Sequence, residues 1–289
     1  MRTLLFNLAP NSNLGPRLAE ALGAELGMID SRHFPDGELY QRILSDVQGA
    51  KVIIFADLFH PDIQLFTLLS LGHTLEELGA LERTLITAYL PYMRQDKRFK
   101  SGESITSRHF ATHISQAFDR LITVDPHLHR YASLDEIYSL EGVVLTAQTV
   151  ISEYLTTLSD KLLLIGPDEE SQQWVQAIAE ATGLPFQILL KHRSGDYQVE
   201  VSKPQLEPYL DHRPVLVDDI ISSGRTMLRT LDHLEQAGLE RALIIGVHGI
   251  FAADAFELLS ARAELVTCNS IPHQSNAIDL LPLFVEACR

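Results

Sequence analysis

The sequence predicts an α/β protein of two domains, each built on a mainly parallel sheet flanked by helices. The chain has 289 residues, which is enough for about two domains of ordinary size. Short, continuously apolar runs recur along it, and stretches with helical spacing of apolar residues separate them. Because the strands of a parallel sheet are covered on both faces, this alternation is typical of the class.

Seven apolar runs of strand length are candidate strands. They are TLLFNLA (3–9), KVIIFAD (51–57), TLITAYL (84–90), RLITVD (120–125), KLLLIG (161–166), PVLVDD (214–219) and ALIIGVHG (242–249). Candidate helices lie between them at 15–26, 62–78, 106–118, 169–182 and 224–237.

The domain boundary falls between the fourth and fifth strands. No Pro/Gly/Ser-rich linker or low-complexity segment marks it, so we place it within residues 138–149. The predicted domains are residues 1–145 and 146–289, and we leave open that the last helix packs on the first domain.

Composition and charge exclude several classes of function. The apolar runs fall short of the ~20 residues that a membrane helix needs, and the opening reads as a first strand rather than a signal peptide. Two cysteines, Cys268 and Cys288, are too few for a disulfide framework or a thiolate metal site, so we expect a cytoplasmic protein. A formal net charge of -15 disfavours nucleic acid as a partner.

Polar segments follow four of the predicted strands directly. They are PYMRQDKRFKSGE, PHLH, PDEES and IISSGRT. For any one of them, an ordinary polar loop is at least as good an explanation. Since ligands of open α/β sheets bind beyond the carboxyl ends of the strands, we interpret the four together as parts of one site.

The segment VLVDDIISSGRTM (215–227) predicts a phosphate cradle. The chain leaves a strand, turns at 222–226 and enters a helical pattern. Backbone N–H groups of such a turn, with the helix dipole, favour an anion, and the hydroxyls of Ser222, Ser223 and Thr226 add donors. Asp218 and Asp219 suit the vicinal hydroxyls of a sugar, so a sugar phosphate is the predicted ligand. The alternative is an ordinary strand-to-helix turn capped by Asp219.

This segment resembles the ribose 5-phosphate loop of type I phosphoribosyltransferases, with Arg225 at a position where a small residue is usual. Together with HFPDGE (33–38), PYMRQDKRFKSGESI (91–105), DPH (125–127), GPD (166–168) and KHR (191–193), it closely resembles the ribose-phosphate pyrophosphokinases, or phosphoribosyl diphosphate synthetases. The resemblance runs from about residue 5 to residue 275. It implies two tandem type I phosphoribosyltransferase-like domains and a homo-oligomer, a dimer or a multiple of one.

The resemblance also implies the reaction and the residues that carry it. The enzyme would transfer the β,γ-diphosphoryl group of ATP to O1 of ribose 5-phosphate, with magnesium (Mg2+) as cofactor and AMP as the second product. The implied residues are Phe34, Asp36, Gly37, Glu38, Arg94 and Gln95 for ATP; Asp218, Asp219, Ser222, Ser223, Gly224, Arg225 and Thr226 for ribose 5-phosphate; His127 and Asp168 for the metal; and Lys191 and Arg193 for catalysis.

Each motif has a simpler explanation when it is taken alone. FPDGE would usually be a turn, His127 a structural histidine, and KHRSGDYQVE a solvated hairpin. Glu169 and Glu170 stand where the family usually has small residues, and they keep open a non-catalytic relative that regulates an active synthetase. A phosphoribosyltransferase of another specificity and an unrelated sugar-phosphate binding module also stay open. The phosphoribosyltransferase alternative gives no role to the basic run Arg94, Lys97, Arg98 and Lys100.

Overall fold

The computed structural model describes residues 2–167, 171–189, 191–194, 198–201, 206–239 and 241–289, with the backbone alone at 173, 191–194 and 198–201. The chain divides into two compact units. The first comprises Met1–Thr146 and Leu281–Arg289, and the second comprises Ala147–Leu280.

The first unit alternates strands and helices. Its elements are β1 (Thr3–Asn7), α1 (Leu14–Leu22), β2 (Glu25–Leu26), β3 (Ile29–His33), β4 (Leu39–Ile43), β5 (Lys51–Phe55), α2 (Pro61–Glu77), β6 (Glu82–Thr87), α3 (Thr106–Ala117), β7 (Arg120–Val124) and β8 (Glu141–Leu145). Six strands form one parallel sheet in the order β2-β1-β5-β6-β7-β8. The strands β3 and β4 form a separate antiparallel hairpin.

The second unit repeats this plan. Its elements are α4 (Gln148–Thr156), β9 (Leu162–Gly166), α5 (Gln172–Thr182), β10 (Phe186–Ile188), β11 (Lys191–Ser194), β12 (Gln198–Val201), β13 (Arg213–Ile221), α6 (Arg225–Gln236), β14 (Leu243–Gly249), α7 (Ala255–Ser260), β15 (Glu264–Cys268) and β16 (Asn276–Ile278). The parallel sheet has the order β10-β9-β13-β14-β15-β16, and β11 and β12 form an antiparallel hairpin.

The two sheets share one connectivity. In each, the second strand lies outside the first, the third strand lies on the first strand's other side, and a two-stranded hairpin is inserted between the second and third strands. The strand order therefore reverses beside β1 and β5 in one unit and beside β9 and β13 in the other, which is where open α/β sheets bind ligands. The predicted class, with two parallel sheets flanked by helices, is confirmed.

The last helix, α8 (Leu281–Ala287), belongs to the first unit. Its Phe284 is fully buried and meets the ring of Phe55 edge to face at 6.0 Å. Arg120 Nη2 donates to the Ala287 carbonyl at 3.4 Å. The end of the chain thus supplies part of the core around β5 and β7.

Several predicted boundaries differ from the observed ones by a few residues, and two of the differences have a clear physical cause. The first helix ends at Leu22, not at residue 26, because Gly23 adopts a left-handed φ of 63° and its N–H caps the carbonyls of Ala19 and Glu20. The sixth predicted strand continues to Ile221 because its end pairs with β14, where Ile221 lies opposite Gly249. Among the described helices, none is long and apolar enough to cross a membrane.

Candidate functional site

The carboxyl end of β13 carries the two acidic residues of the predicted sugar site. Asp218 and Asp219 are half-buried, and Asp218 lies opposite Gly246 of β14. The Asp219 N–H donates to Asp218 Oδ1 at 3.0 Å, and the Ile220 N–H donates to Asp219 Oδ1 at 2.7 Å. Each carboxylate is therefore oriented by the backbone that follows it, and carboxylate oxygens are acceptors that suit hydroxyl donors.

The turn after β13 is shaped by a left-handed glycine. Gly224 has a φ of 66° and precedes the first residue of α6, and its carbonyl accepts the Leu228 N–H at 2.8 Å. A Cβ at this position would lie 2.9 Å from Leu259 Cδ1 and 3.3 Å from Leu259 Cγ. Both the conformation and the space therefore require glycine.

The first turn of α6 presents donors to the same edge of the sheet. The opening N–H groups of an α-helix have no intrahelical acceptor, and the dipole adds partial positive charge there. Ser223 and Arg225 are exposed, whereas Ser222 and Thr226 are half-buried. The predicted ribose 5-phosphate residues thus follow one another at the carboxyl end of β13. Their carboxylates can accept hydrogen bonds from sugar hydroxyls, and the turn can donate hydrogen bonds to a phosphate.

Sequence reasoning missed a loop that supports this turn. The N–H groups of Ile250 and Phe251 both donate to the Ile221 carbonyl at 3.0 Å, and the Ala252 N–H donates to the Ser222 carbonyl at 3.1 Å. Phe251 and Ala253 have φ values of 46° and 55°. No glycine marks these left-handed positions, so the sequence carries no turn signal there.

In the first unit, the loop after β6 carries two of the predicted ATP residues. Arg94 is exposed and Gln95 is half-buried. The Gln95 N–H donates to the Tyr92 carbonyl at 3.0 Å, and the Gln95 carbonyl accepts the Ser107 hydroxyl at 3.1 Å. These bonds join the loop to the start of α3, so the backbone that bears Arg94 is held on both sides.

Tyr92 holds the same loop from the other end. It has a φ of 64°, its ring packs on Phe110 at 5.1 Å, and its hydroxyl donates to the Asp62 carboxylate at the start of α2. Burial, with the nearby Asp62 carboxylate, raises the pKa of Tyr92 to about 12. The phenol therefore stays a donor at every pH of interest.

Two histidines follow β7. Asp125, the first residue after the strand, has a φ of 35°. Nε2 of the exposed His129 lies 2.9 Å from Nδ1 of the half-buried His127, with ring centroids 3.6 Å apart. Because magnesium prefers oxygen ligands, a pair of imidazoles is a poor donor set for it, and His127 fits a water-mediated or phosphate contact better. Asp168, the other predicted metal ligand, lies outside the described residues with Glu169 and Glu170.

FPDGE forms the tip of the β3–β4 hairpin. The Phe34 N–H donates to the Glu38 carbonyl at 2.8 Å, and the Glu38 N–H donates to Asp36 Oδ1 at 3.2 Å. Gly37 completes the turn with a φ of 90°. The whole tip is exposed. The turn is thus present, and the predicted ATP residues stand on its solvent side.

The predicted catalytic residues lie on a hairpin. The backbone of Lys191 pairs with Val201, and that of Arg193 pairs with Val199, in the antiparallel strands β11 and β12. The hairpin follows β10, at the edge of the second sheet.

Known proteins resemble this chain over nearly its whole length. Residues 3–117 match the N-terminal domain of ribose phosphate pyrophosphokinase, and residues 133–274 match the phosphoribosyl transferase domain. The ribose-phosphate pyrophosphokinase of Pyrococcus furiosus is 31% identical over 261 residues, which cover 90% of this chain and 91% of that protein. The protein of the same name from Methanosarcina acetivorans is 31% identical over 279 residues, 96% and 95% of the two chains.

A solved structure shows the same fold. Phosphoribosylpyrophosphate synthetase from Mycobacterium smegmatis superposes with a TM-score of 0.86 at 22% identity, and covers 99% of this chain and 97% of its own. The predicted tandem phosphoribosyltransferase-like fold is therefore confirmed. With the two domain matches and relatives of about one-third identity over nine-tenths of the sequence, the chain belongs to the ribose-phosphate pyrophosphokinase family of enzymes.

Proposed function

We propose that this enzyme transfers the β,γ-diphosphoryl group of ATP to O1 of ribose 5-phosphate, and so forms 5-phosphoribosyl 1-diphosphate and AMP. The observation that carries the proposal is the arrangement of the carboxyl end of β13, the turn after it and the start of α6. Two half-buried carboxylates, Asp218 and Asp219, precede a glycine turn that opens α6, and the first N–H groups of an α-helix have no intrahelical acceptor. Acceptors for hydroxyls beside donors for a phosphate match the two ends of ribose 5-phosphate.

The proposed step displaces AMP directly. O1 of the sugar loses its proton to solvent and forms a bond to the β-phosphorus of ATP, while the bond from that phosphorus to the α,β-bridging oxygen breaks and AMP departs with this oxygen. In such a transition state, charge spreads over non-bridging oxygens, so positioning and electrostatics supply most of the catalysis. Asp218 and Asp219 hold the ribose hydroxyls, the turn holds the 5-phosphate, and Lys191 and Arg193 neutralise the transferred phosphates.

ATP would be held mainly by residues of the first unit. Arg94 and Gln95 stand on a loop that hydrogen bonds fix to Tyr92 and Ser107, which suits the precise placement of a nucleotide. We further propose that Phe34, Asp36, Gly37 and Glu38 complete this site and that the enzyme works as a homo-oligomer in the cytoplasm.

Mg2+ would neutralise and align the ATP phosphates when bound. A carboxylate is an oxygen donor of the right kind, and we expect Asp168 to act in this role. His127, a nitrogen donor paired with His129, would act through water or on a phosphate oxygen.

The direct test is incubation of the purified protein with ATP, ribose 5-phosphate and Mg2+, followed by phosphorus NMR. AMP together with a sugar diphosphate ester, and no ADP, would establish diphosphoryl transfer. Absence of turnover under varied metal and phosphate concentrations would favour a non-catalytic regulatory relative. In that event, Glu169→Gly and Glu170→Gly are the first changes to make.

A second test addresses the cradle itself. Ser223 is exposed at the turn, so Ser223→Asp places a negative charge there without disturbing the core. Repulsion between this charge and the 5-phosphate should raise the KM for ribose 5-phosphate and leave the KM for ATP near its wild-type value. An unchanged KM for ribose 5-phosphate would put the cradle elsewhere.

A further inference from the structure

The loop after β14 is joined to the cradle by backbone hydrogen bonds. Three N–H groups, those of Ile250, Phe251 and Ala252, donate to the carbonyls of Ile221 and Ser222 at 3.0 to 3.1 Å. These two carbonyls belong to the last residue of β13 and the first residue of the turn. A shift of residues 250–252 therefore shifts the backbone from which the turn starts.

The conformation of this loop is unfavourable by itself. Phe251 and Ala253 have φ values of 46° and 55°, and the left-handed region costs an L-residue roughly 1–2 kcal/mol. Such a backbone persists only where surrounding contacts determine it. The contacts that hold these residues are thus part of what holds the cradle.

The ring of Phe251 is the main anchor. It folds back over Gly249, where an added Cβ would lie 2.5 Å from Phe251 Cε2. Its centroid is 4.6 Å from that of His273 and 5.4 Å from that of Phe256. His273 also meets Phe256 at 4.6 Å, so the three rings form a closed cluster.

His273 joins this cluster to a rigid polar network. Its Nδ1 lies 2.8 Å from the Ser275 hydroxyl and accepts the Ser275 N–H at 3.2 Å. The Ser275 hydroxyl lies 2.8 Å from Thr267 Oγ1, which accepts from Asn276 Nδ2 at 2.9 Å. Ser275 and Thr267 are buried, and bonds of this kind fix the histidine ring in one orientation.

We propose that His273 is a positioning residue for ribose 5-phosphate: it holds the Phe251 ring, and thereby sets the loop 250–254 on which the phosphate cradle rests. This inference rests on the proposed function of the cradle and deepens it. His273 touches no substrate in this scheme. Its effect travels through one ring contact and three backbone hydrogen bonds.

The test measures binding of ribose 5-phosphate to the full chain by calorimetry, beside the KM for each substrate. His273→Ala should weaken ribose 5-phosphate binding on the order of 10-fold, raise the KM for that substrate, and leave the KM for ATP unchanged. The matched control is His212→Ala, since His212 is half-buried and also meets an aromatic ring, Tyr209, edge to face at 5.3 Å. It should bind ribose 5-phosphate as the wild type does.

Ala253→Gly separates positioning from simple structural damage. Glycine adopts a φ of 55° without strain, so this variant should keep or raise its unfolding midpoint. If the strained conformation of the loop fixes the position of the cradle, a more flexible backbone at residue 253 should still weaken ribose 5-phosphate binding. The inference would be overturned if both His273→Ala and Ala253→Gly bound ribose 5-phosphate with wild-type affinity. If the wild-type enzyme itself bound no ribose 5-phosphate, the proposed function would be overturned first.

Discussion

Gly224→Ala is the sharpest perturbation of the cradle, because one methyl group acts on both stability and binding. The residue has a φ of 66°, so alanine there costs about 1–2 kcal/mol in backbone strain. The added Cβ would lie 2.9 Å from Leu259 Cδ1, and Leu259 is fully buried. Crowding of a packed core costs a further ~1–3 kcal/mol. We expect the free energy of unfolding to fall by about 2–5 kcal/mol, the sum of the two contributions.

Binding should fall for a separate reason. Relief of the clash with Leu259 is expected to move the start of α6, and with it the N–H groups that we propose to face the phosphate. A hydrogen bond to a charged group contributes about 1.5–3 kcal/mol, so loss of one weakens ribose 5-phosphate binding about 10-fold to 100-fold. Urea unfolding and calorimetric titration with ribose 5-phosphate measure the two effects independently.

Gly238→Ala is the matched control, at the other end of the same helix. Its φ is 80°, but among the described residues, its two chain neighbours aside, no atom lies within 4 Å of the position of the added Cβ. This variant should lose only the ~1–2 kcal/mol of stability that backbone strain costs, and it should bind ribose 5-phosphate as the wild type does. Equal destabilisation of the two variants would refute the packing argument, and unchanged affinity in Gly224→Ala would refute the location of the cradle.

Three further changes test other parts of the molecule. Lys191→Ala should lower kcat about 10²- to 10³-fold, while Lys161→Ala, at an exposed lysine paired with Asp211, should not; normal turnover in the first would remove Lys191 from the mechanism. Phe284→Ala should lower the free energy of unfolding by about 3–5 kcal/mol in urea, and a loss below about 1 kcal/mol would contradict its role in the core. The Arg83 hydrogen bond lowers the pKa of Asp119 below 3.8, so this pair stabilises the fold above that pH and less as pH falls through the folded pKa. Asp119→Asn should therefore lose stability near neutral pH, with a deficit that shrinks in acid; a deficit independent of pH would exclude the linkage.

Most of the centre of each sheet could be predicted from the sequence, whereas the interior strand β15 (Glu264–Cys268) and the edge strands were missed. Every predicted apolar run contains a strand, and these strands occupy interior positions of the two sheets. The four edge strands, β2, β8, β10 and β16, have two to five residues and were not predicted. An edge strand has a partner on one side only and needs no continuous apolar run, so its pattern resembles that of a loop.

The candidate site divides in a similar way. The proposed cradle could be recognised in the sequence because its glycine, hydroxyls and acids are adjacent and each has a typical role in anion or sugar binding. The loop 250–254 could not, since it acts through backbone N–H groups that any residue possesses. His273 stands far from the cradle in the sequence, and only the fold shows that its ring meets Phe251.

The positions of strained backbone residues are an independent indication of which loops are functional. In the described part of the chain, the non-glycine residues at positive φ are Tyr92, Asp125, Phe251 and Ala253. All of them follow the carboxyl ends of strands, after β6, β7 and β14, and none lies at the amino ends. At about 1–2 kcal/mol each, the conformations together cost an amount comparable with the net stability of many domains. Such a cost, confined to loops after the carboxyl ends of strands, is expected where the loops are shaped for ligands rather than for stability, and Arg94, Gln95 and the residues proposed for ribose 5-phosphate follow the same ends of strands.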